Sequence, residues 1–409
     1  MGFNKKTIED ADIRGKTVLV RVDYNVPLDE NGHVTDSYKV SVSRPTIRYL
    51  LEHGAHKVVL MSHLGRPGGH IDSHLSLAPV AKVLQGELTG VNVVFANFLP
   101  GVLGDGSEFL STMTNTPDGS VILLENLRFN PGEDANSEEF ARSLVQVTGA
   151  DLFVQDGFAY LHRESATTNA ITRLLPSVAG YVVAHEVTAL QRAIYSPIQP
   201  FLSISGGAKI SDKIGALAKL MEISDSMLVG GAMANTFLQY SGNSVGSSKV
   251  EPGQGTALNA IYAMRTNRNV SLVVPKDVVT VKEILATAKT EVKNVTDIKA
   301  NDIIVDIGPR TVQAFVEMIE QAHTIFWNGP LGVTEIEPFA TGSRAIAEAI
   351  GRKTNGLTII GGGDTAGFVR GLKAKDPTLN YSLISTGGGA TLDFIAGKPL
   401  PGLAGLQDR

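Results

Sequence analysis

The 409-residue sequence contains no cysteine, which removes disulfides, thiolate nucleophiles and cysteine-based zinc sites together. A reducing compartment is therefore permitted, and a cytoplasmic location is expected. No apolar run approaches the roughly 18 residues that span a bilayer, because Gly, Pro or charge interrupts every candidate, so no membrane partner is expected. The opening MGFNKKTIED lacks the apolar stretch of a signal peptide and has Lys6 where a myristoylation signal wants Ser or Thr. Excess positive charge is also missing. With 36 Lys and Arg against 41 Asp and Glu, the net charge is -5, which gives no general attraction to nucleic acid or anionic lipid; any affinity for anions must be local.

Several nucleotide signatures are absent as well. There is no GxxxxGK[ST], and no well-placed G-x-G-x-x-G follows the first apolar run, which argues against P-loop kinases and dinucleotide-dependent dehydrogenases. His162-Arg163-Glu164 with Asn169 mimics a protein-kinase catalytic loop, but it has Glu for Asp and no DFG follows. Six of the nine histidines fall between His33 and His74; their irregular spacing favours solvated side chains over a metal site, with His63 the exception.

What is present is a chain 43% hydrophobic and 19% charged, suited to large cores and too long for one. A short Val/Ile/Leu run, a Gly or polar turn and a stretch of helical spacing recur throughout. The runs are Thr17–Val22, Lys57–Met61, Val91–Phe95, Val121–Leu124 and Asp151–Val154, then Phe201–Ile204, Ser226–Val229, Ser271–Val274, Thr324–Phe326, Leu357–Ile360 and Tyr381–Ile384. Continuous rather than alternating runs predict parallel strands covered on both faces, hence two doubly wound, Rossmann-like α/β domains. Gly180–Ile194 has helical character and precedes Ser196-Pro197-Ile198-Gln199-Pro200, which cannot continue a helix. The expected limits are a first domain over 1–180, a hinge helix and linker over 181–199, and a second domain over 200–391.

Ligands of open parallel sheets bind beyond the carboxyl ends of the strands. In the first half those ends carry Arg21-Val22-Asp23-Tyr24-Asn25, Ser62-His63-Leu64-Gly65-Arg66, Glu125-Asn126-Leu127-Arg128 and Gln155-Asp156-Gly157, with His162-Arg163 just beyond. Arginine forks suit a small phosphorylated acid, although surface arginines also follow strands by chance. In the second half the ends are glycine-rich: Gly206-Gly207-Ala208-Lys209, Gly230-Gly231, Asn328-Gly329-Pro330, Gly361-Gly362-Gly363-Asp364-Thr365 and Gly387-Gly388-Gly389. Such turns let backbone amides approach nucleotide phosphates, and they also serve ordinary tight packing. Lys209 and Lys213, four apart, share a helix face and are candidate charge stabilisers. Asp364 is the candidate ligand of a Mg²⁺ bridging nucleotide phosphates, unless Asp364 and Thr365 merely cap the next helix. No base stands out to strip an acceptor hydroxyl, which suits an acceptor that is already an anion.

RVDYNVP (21–27), SHLGRP (62–67), ENLRF (125–129), GGAKISDK (206–213), GGAMANTF (230–237), WNGPLGVTE (327–335), GGGDT (361–365) and STGGGATLDFIAGKPLPGL (385–403) together resemble the phosphoglycerate kinase family, in order and across nearly the whole chain. The resemblance implies a monomeric glycolytic enzyme that interconverts 1,3-bisphosphoglycerate and MgADP with 3-phosphoglycerate and MgATP. It implies phosphoglycerate binding by Asp23, Asn25, His63, Arg66, Arg128 and Arg163. Nucleotide binding falls to Gly207, Lys209, Gly231, Asn328, Pro330, Glu335, Gly363, Asp364 and Thr365, with Glu335 at the ribose, Gly387, Gly388 and Gly389 as a phosphate loop and Lys213 guiding the transferred group. It also implies domain closure and a last segment, 392–409, that returns to the first domain. Three departures stand out: Lys39 where the family has a catalytic arginine, Ser165 where a second histidine usually follows the His-Arg pair, and Gly157 and Tyr160 in a stretch usually reading DAFGTAHR. A binding or scaffold protein on a weakened kinase fold is the alternative that Lys39 leaves open.

Overall fold

Alternation within fully buried strands sorts the first core. In the computed structural model, which describes residues 3–409, Val18, Val20, Val58, Leu60, Val121 and Leu123 face one apolar cluster. Leu19, Val59, Met61, Ile122 and Leu124 face another on the opposite side. These residues lie on β1 (Thr17–Arg21), β2 (Lys57–Met61) and β4 (Ser120–Leu124), which join β3 (Val93–Ala96), β5 (Leu152–Gln155) and β6 (Ser177–Ala179) in a six-stranded sheet of order β3-β4-β2-β1-β5-β6. Every pairing is parallel. Because both faces must be covered, the strands read as unbroken apolar runs.

The second half repeats the solution. Strands β7 (Phe201–Ser205), β8 (Ser226–Val229), β9 (Ser271–Val273), β13 (Thr324–Asn328), β14 (Leu357–Gly361) and β15 (Leu383–Ile384) form a parallel sheet of order β15-β14-β13-β7-β8-β9. Leu202, Ile204, Ile325, Trp327 and Ile360 pack one face against Phe315, Ile346 and Val369 from flanking helices. The two six-stranded parallel sheets agree with the architecture read from the sequence. A third, antiparallel sheet of β11 (Glu291–Asn294), β10 (Asp277–Val281) and β12 (Ile303–Ile307) was not expected. Its edge strand, Glu-Val-Lys-Asn, is mostly exposed and carries no apolar run to betray it. The short β6, directly after Pro176, also escaped the reading.

The chain divides into two compact units, one holding the described residues up to Thr188 together with Pro399–Arg409, the other holding Ala189–Lys398. The first division falls inside the helix Tyr181–Tyr195, and the return begins at Pro399 rather than near 392. Helix Gly388–Ile395 stays with the second unit, where it packs on helix Ile214–Ile223; a Cβ on Gly215 would come 3.2 Å from that of Ala396. The closing residues bond to the first unit, with Gly402 N–H donating to Leu161 O at 3.0 Å and Gln407 N–H to Ser177 O at 2.9 Å. Among the described residues no helix is long and apolar enough to cross a membrane.

Asp156 ties the end of β5 to the helix Tyr181–Tyr195. Its Oδ1 accepts the Val182 N–H at 2.9 Å, and a side chain at Gly180 would place its Cβ 2.2 Å from that oxygen, so only glycine fits there. Burial raises the Asp156 carboxyl from 3.8 to about 7, against the hydrogen bonds that favour its charged form. A carboxyl raised on folding holds a proton in the native state, so its stabilising effect is complete below the unfolded value and is lost as pH rises through about 7. Asp156→Asn keeps a neutral isostere. Its melting temperature relative to the parent is expected to climb between about pH 4 and about pH 7 and then level off; a pH-independent difference across a calorimetric series would contradict this assignment.

Candidate active site

The carboxyl ends of β1, β2, β4 and β5 build a cavity of about 130 Å³ in the first unit, lined by Asp23, Asn25, Lys39, His63, Arg66, Arg128, Ala159, Tyr160, His162 and Arg163. All six side chains expected to bind a phosphorylated acid, and Lys39, are thus brought together. Asn126 explains how two of the motifs meet. Fully buried, it donates from Nδ2 to Leu64 O at 2.7 Å and Leu75 O at 2.9 Å, while its Oδ1 accepts the Arg128 N–H at 3.1 Å. Glu125 accepts from Ser76 Oγ, Leu77 N and Asn126 N. The first two residues of ENLRF therefore anchor the loops, and the arginine reaches the cavity.

Arg128 is buried and donates from Nε to Asp134 Oδ1 at 3.1 Å, from Nη1 to Gly65 O at 2.7 Å and from Nη2 to the Tyr160 hydroxyl at 2.7 Å. Its five N–H groups leave two for a ligand. Arg66 and Arg163 are exposed. Asn25 turns its Oδ1 to accept the Gly65 N–H at 2.9 Å, which holds the SHLGRP loop. Lys39 Nζ lies 2.7 Å from Asp23 Oδ2, so the two neutralise each other.

His63 is buried beside Arg21, whose Nη2 is 3.0 Å from Nδ1. A guanidinium has no acceptor, so Nδ1 accepts and the ring proton sits on Nε2. Burial, then the charges of Arg21, Arg128, Lys39 and Arg163, push the His63 pKa well below its ordinary range. The ring is a neutral N–H donor, not another cation.

In the second unit, the turns after β7, β13 and β14 enclose a cavity of about 320 Å³, lined by Gly207, Ala208, Lys209, Asp212, Lys213, Asn328, Gly329, Pro330, Gly362, Gly363, Asp364, Thr365 and Leu392. That volume is at the lower end of small-molecule sites, roughly 300–1,000 Å³. The turns are sewn to one another: Gly207 N–H donates to Pro330 O at 2.8 Å, Gly329 N–H to Thr365 Oγ1 at 2.9 Å, and Trp327 Nε1 to Gly329 O at 2.8 Å. Gly329 has φ +96°, and a Cβ there would lie 2.2 Å from Gly206 O and 2.7 Å from Lys213 Nζ. No side chain fits without destroying the turn.

Helix Gly363–Lys375 starts with no side-chain cap. Asp364 stands in its first turn and Thr365 spends its hydroxyl on Gly329, so neither caps the helix, and the first amides remain for an anion. The buried Asn328 Nδ2 has no hydrogen-bond partner, a donor left for a guest. Helices Gly231–Tyr240 and Gly388–Ile395 likewise begin uncapped by side chains. Gly388 abuts the β14 turn, its Cβ position lying 3.4 Å from Gly363 N, and Gly231 backs on Gly207 and Pro330. Neither lines the cavity, nor do Gly387 and Gly389, and Glu335 lies in an exposed turn outside it.

A Mg²⁺ ion takes one or two carboxylates plus phosphate oxygens and water. Asp364 and Asp212 on the cavity wall fit that demand, and among the described residues no cluster of three or more His, Cys, Asp or Glu is placed to hold a metal without a phosphate.

The family model described as phosphoglycerate kinase matches residues 8–398. The chain belongs to the phosphoglycerate kinase family. It is 46% identical over 408 residues to phosphoglycerate kinase of Dictyoglomus turgidum, covering 99% of this chain and 100% of that protein. It is 44% identical over 413 residues to that of Chloroflexus aggregans, covering 99% and 100%. Among solved structures, phosphoglycerate kinase from Coxiella burnetii aligns with a TM-score of 0.82 at 36% identity over 98% of both chains.

Set against the pattern by which the sequence resembles this family, the departures acquire physical meaning. Ser165 is fully buried and donates to Glu133 Oε1 at 3.0 Å, so it belongs to the scaffold under the cavity instead of its wall. Tyr160, noted in the sequence only as an oddity of a turn, lines the cavity. Arg21, Glu133 and Asp134 were not singled out as site residues. For Arg21 the signal was available, since a charge inside an apolar run, TVLVR, implies a paid-for burial. Glu133 and Asp134 come from a short helix, Pro131–Asp134, with nothing in its composition to distinguish it.

Lys213 donates to Gly206 O at 2.8 Å, and burial lowers its pKa to about 8 despite the attraction of Asp364 and Asp212. The ammonium is present below that pH and lost above it. In the free enzyme kcat/KM for nucleotide should therefore fall as pH rises through about 8, and Lys213→Arg should abolish that limb of the profile even if its plateau is lower. A flat profile for the parent up to about pH 9.5 would remove Lys213 as the titrating group.

Proposed function

We propose that the chain transfers a phosphoryl group reversibly from 1,3-bisphosphoglycerate to MgADP, giving 3-phosphoglycerate and MgATP, and that it does so as a cytoplasmic monomer. Family membership supports this reading, and the observation that carries it is the contrast between the two cavities. One is small and ringed by Lys39, His63, Arg66, Arg128 and Arg163; the other is walled by glycine turns with Lys209, Lys213 and Asp364. The first suits a compact polyanion held by side-chain forks. The second suits a polyphosphate held by backbone amides.

In this reading Arg66, Arg128 and Arg163 grip the phosphoglycerate, His63 gives it a neutral N–H and Asn25 keeps the loop in place. The acceptor in the ATP-consuming direction is a carboxylate, so no general base is required and catalysis comes from position and charge. Lys213 and Lys209 would follow the transferring oxygens, and the amides opening helix Gly363–Lys375, with Asn328, would hold the nucleotide phosphates. Asp364 would hold Mg²⁺ arriving with the nucleotide, which supplies neutralisation of phosphate charge. Each unit serves one reactant, so turnover needs both.

A coupled assay of ATP formation from 1,3-bisphosphoglycerate and MgADP tests the reading directly. Turnover is expected, and Asp364→Asn should weaken MgADP use by roughly ten- to a hundredfold while leaving 3-phosphoglycerate binding intact. No turnover by folded protein would refute it.

Lys39 sets the rate. Released from Asp23 by the arriving anion, its ammonium supplies charge without the planar fork. A transition-state arginine is worth roughly a thousandfold or more in phosphoryl transfer, so Lys39→Arg is expected to speed single-turnover transfer by roughly tenfold. Equal or slower transfer by the variant would show that lysine is already optimal here.

A further inference from the structure

Tyr160 lines the charged cavity in the first unit. The guanidinium carbons of Arg21, Arg128 and Arg163 lie over its ring at 5.0, 5.3 and 5.7 Å from the centroid, and the His63 ring sits 4.6 Å away, tilted by 39°. Its hydroxyl accepts from Arg128 Nη2 at 2.7 Å and donates to Asp134 Oδ1 at 2.9 Å. The residue is 5% exposed, and that remaining surface faces the cavity it lines.

Three guanidinium groups gathered about one ring, Arg128 and Arg163 on the cavity wall and Arg21 buried out of the cavity, repel one another, and neighbouring acids and polarisable faces offset that repulsion. An aromatic ring carries negative potential on its faces and attracts cations within about 6 Å of its centroid. All three arginines meet that limit. The hydroxyl then fixes the azimuth of Arg128, because it accepts one Nη2–H while being anchored by Asp134. Burial raises the Tyr160 pKa, so the hydroxyl keeps the proton that this bridge requires.

We propose that Tyr160 is the positioning residue of the anion receptor: its ring keeps Arg21, Arg128 and Arg163 gathered in the absence of ligand, and its hydroxyl aims the Arg128 fork at the cavity. The proposal rests on the phosphoglycerate reading for the identity of the anion, but not for the existence of the receptor. Preorganisation of this kind lowers the cost of ordering side chains when the anion binds. It acts on affinity for the anion and leaves the nucleotide cavity untouched, since Arg21, His63, Arg128, Asp134 and Arg163 all belong to the first unit.

Tyr160→Phe removes the hydroxyl and keeps the ring; Tyr160→Leu removes both with some loss of bulk. On the full-length protein, calorimetric titration with 3-phosphoglycerate and, separately, with inorganic phosphate gives Kd, and steady-state assays give KM for each substrate. Loss of one hydrogen bond to a charged group predicts about a tenfold weaker Kd for 3-phosphoglycerate in the Phe variant. Loss of the ring as well predicts about a further tenfold in the Leu variant. KM for MgATP should stay within about twofold while KM for 3-phosphoglycerate rises in step with its Kd, as expected when an interaction with one substrate alone is removed.

Parental affinity in the Phe variant overturns the proposal, and this arm decides even if Leu fails to fold. A parallel loss of nucleotide and phosphoglycerate affinity would overturn it too, because it would mark Tyr160 as a general support of the fold. If the parent binds both anions, the variants bind them more weakly, and no ATP is made from 1,3-bisphosphoglycerate, the functional reading fails and the role of Tyr160 stands. If the parent turns over and the Phe variant matches it in both affinities, the reverse holds.

Discussion

Burying the Arg21 guanidinium at the end of a central strand is the constraint around which the first unit is arranged. The side chain is 0% exposed, and an unpaired charge in that position would cost several kcal/mol. Its Nη1 donates to Val22 O at 2.8 Å, its Nη2 to His63, and Glu133 Oε1 lies 3.7 Å away. Glu133 is itself buried and is held by Ser165 Oγ, Thr167 Oγ1 and Thr167 N. One strand-end arginine thus fixes the tautomer of His63 and the placement of the short helix Pro131–Asp134. Through the same helix it fixes the position of Asp134, and so the footing of Arg128. The serine at 165 makes sense in this chain of consequences: a hydroxyl reaches the Glu133 carboxylate where it is already surrounded by donors.

The second unit solves a related problem by opposite means. The charged side chains on its cavity wall, Lys209 and Lys213 against Asp212 and Asp364, balance in sign, and turn geometry and uncapped helix starts do the rest. Backbone amides carry no desolvation penalty comparable to that of a buried ion, and they keep their positions because the turns bond to each other. The half-buried ammonium of Lys213 shows the cost of departing from that plan in its lowered pKa of about 8. A nucleotide's phosphates would restore the charge, so ligand binding and protonation of Lys213 favour each other.

The sheets were legible because strands covered on both faces must be apolar along their whole length, and the runs at Val18, Val58, Ile122 and Ile359 say so without ambiguity. The candidate site was legible where a motif places a polar or charged side chain at a strand end, as with His63 and Arg128. It was not legible where the support comes from elsewhere. Asp134 matters only because folding carries it under Arg128, and Tyr160 only because three arginines from separate segments converge on its ring. Strand β11 was missed for a simpler reason: an exposed edge strand has no need of an apolar run. Glu335, carried over from the resemblance, lies in an exposed turn and is not on the cavity wall.

Two of the three departures from the family's pattern fall in one place. Lys39 and Tyr160 both line the 130 Å³ cavity. Charge is conserved by the change at Lys39, but directional hydrogen bonding is not, because an ammonium on a flexible stem replaces a planar fork. Tyrosine at 160 adds what the lysine lacks: a rigid group with two rotatable bonds that fixes the direction of a neighbouring fork, that of Arg128. Orientation removed at one wall of the cavity is supplied at another, and the balance between them decides whether the site spends its charge on holding the anion or on stabilising its transfer.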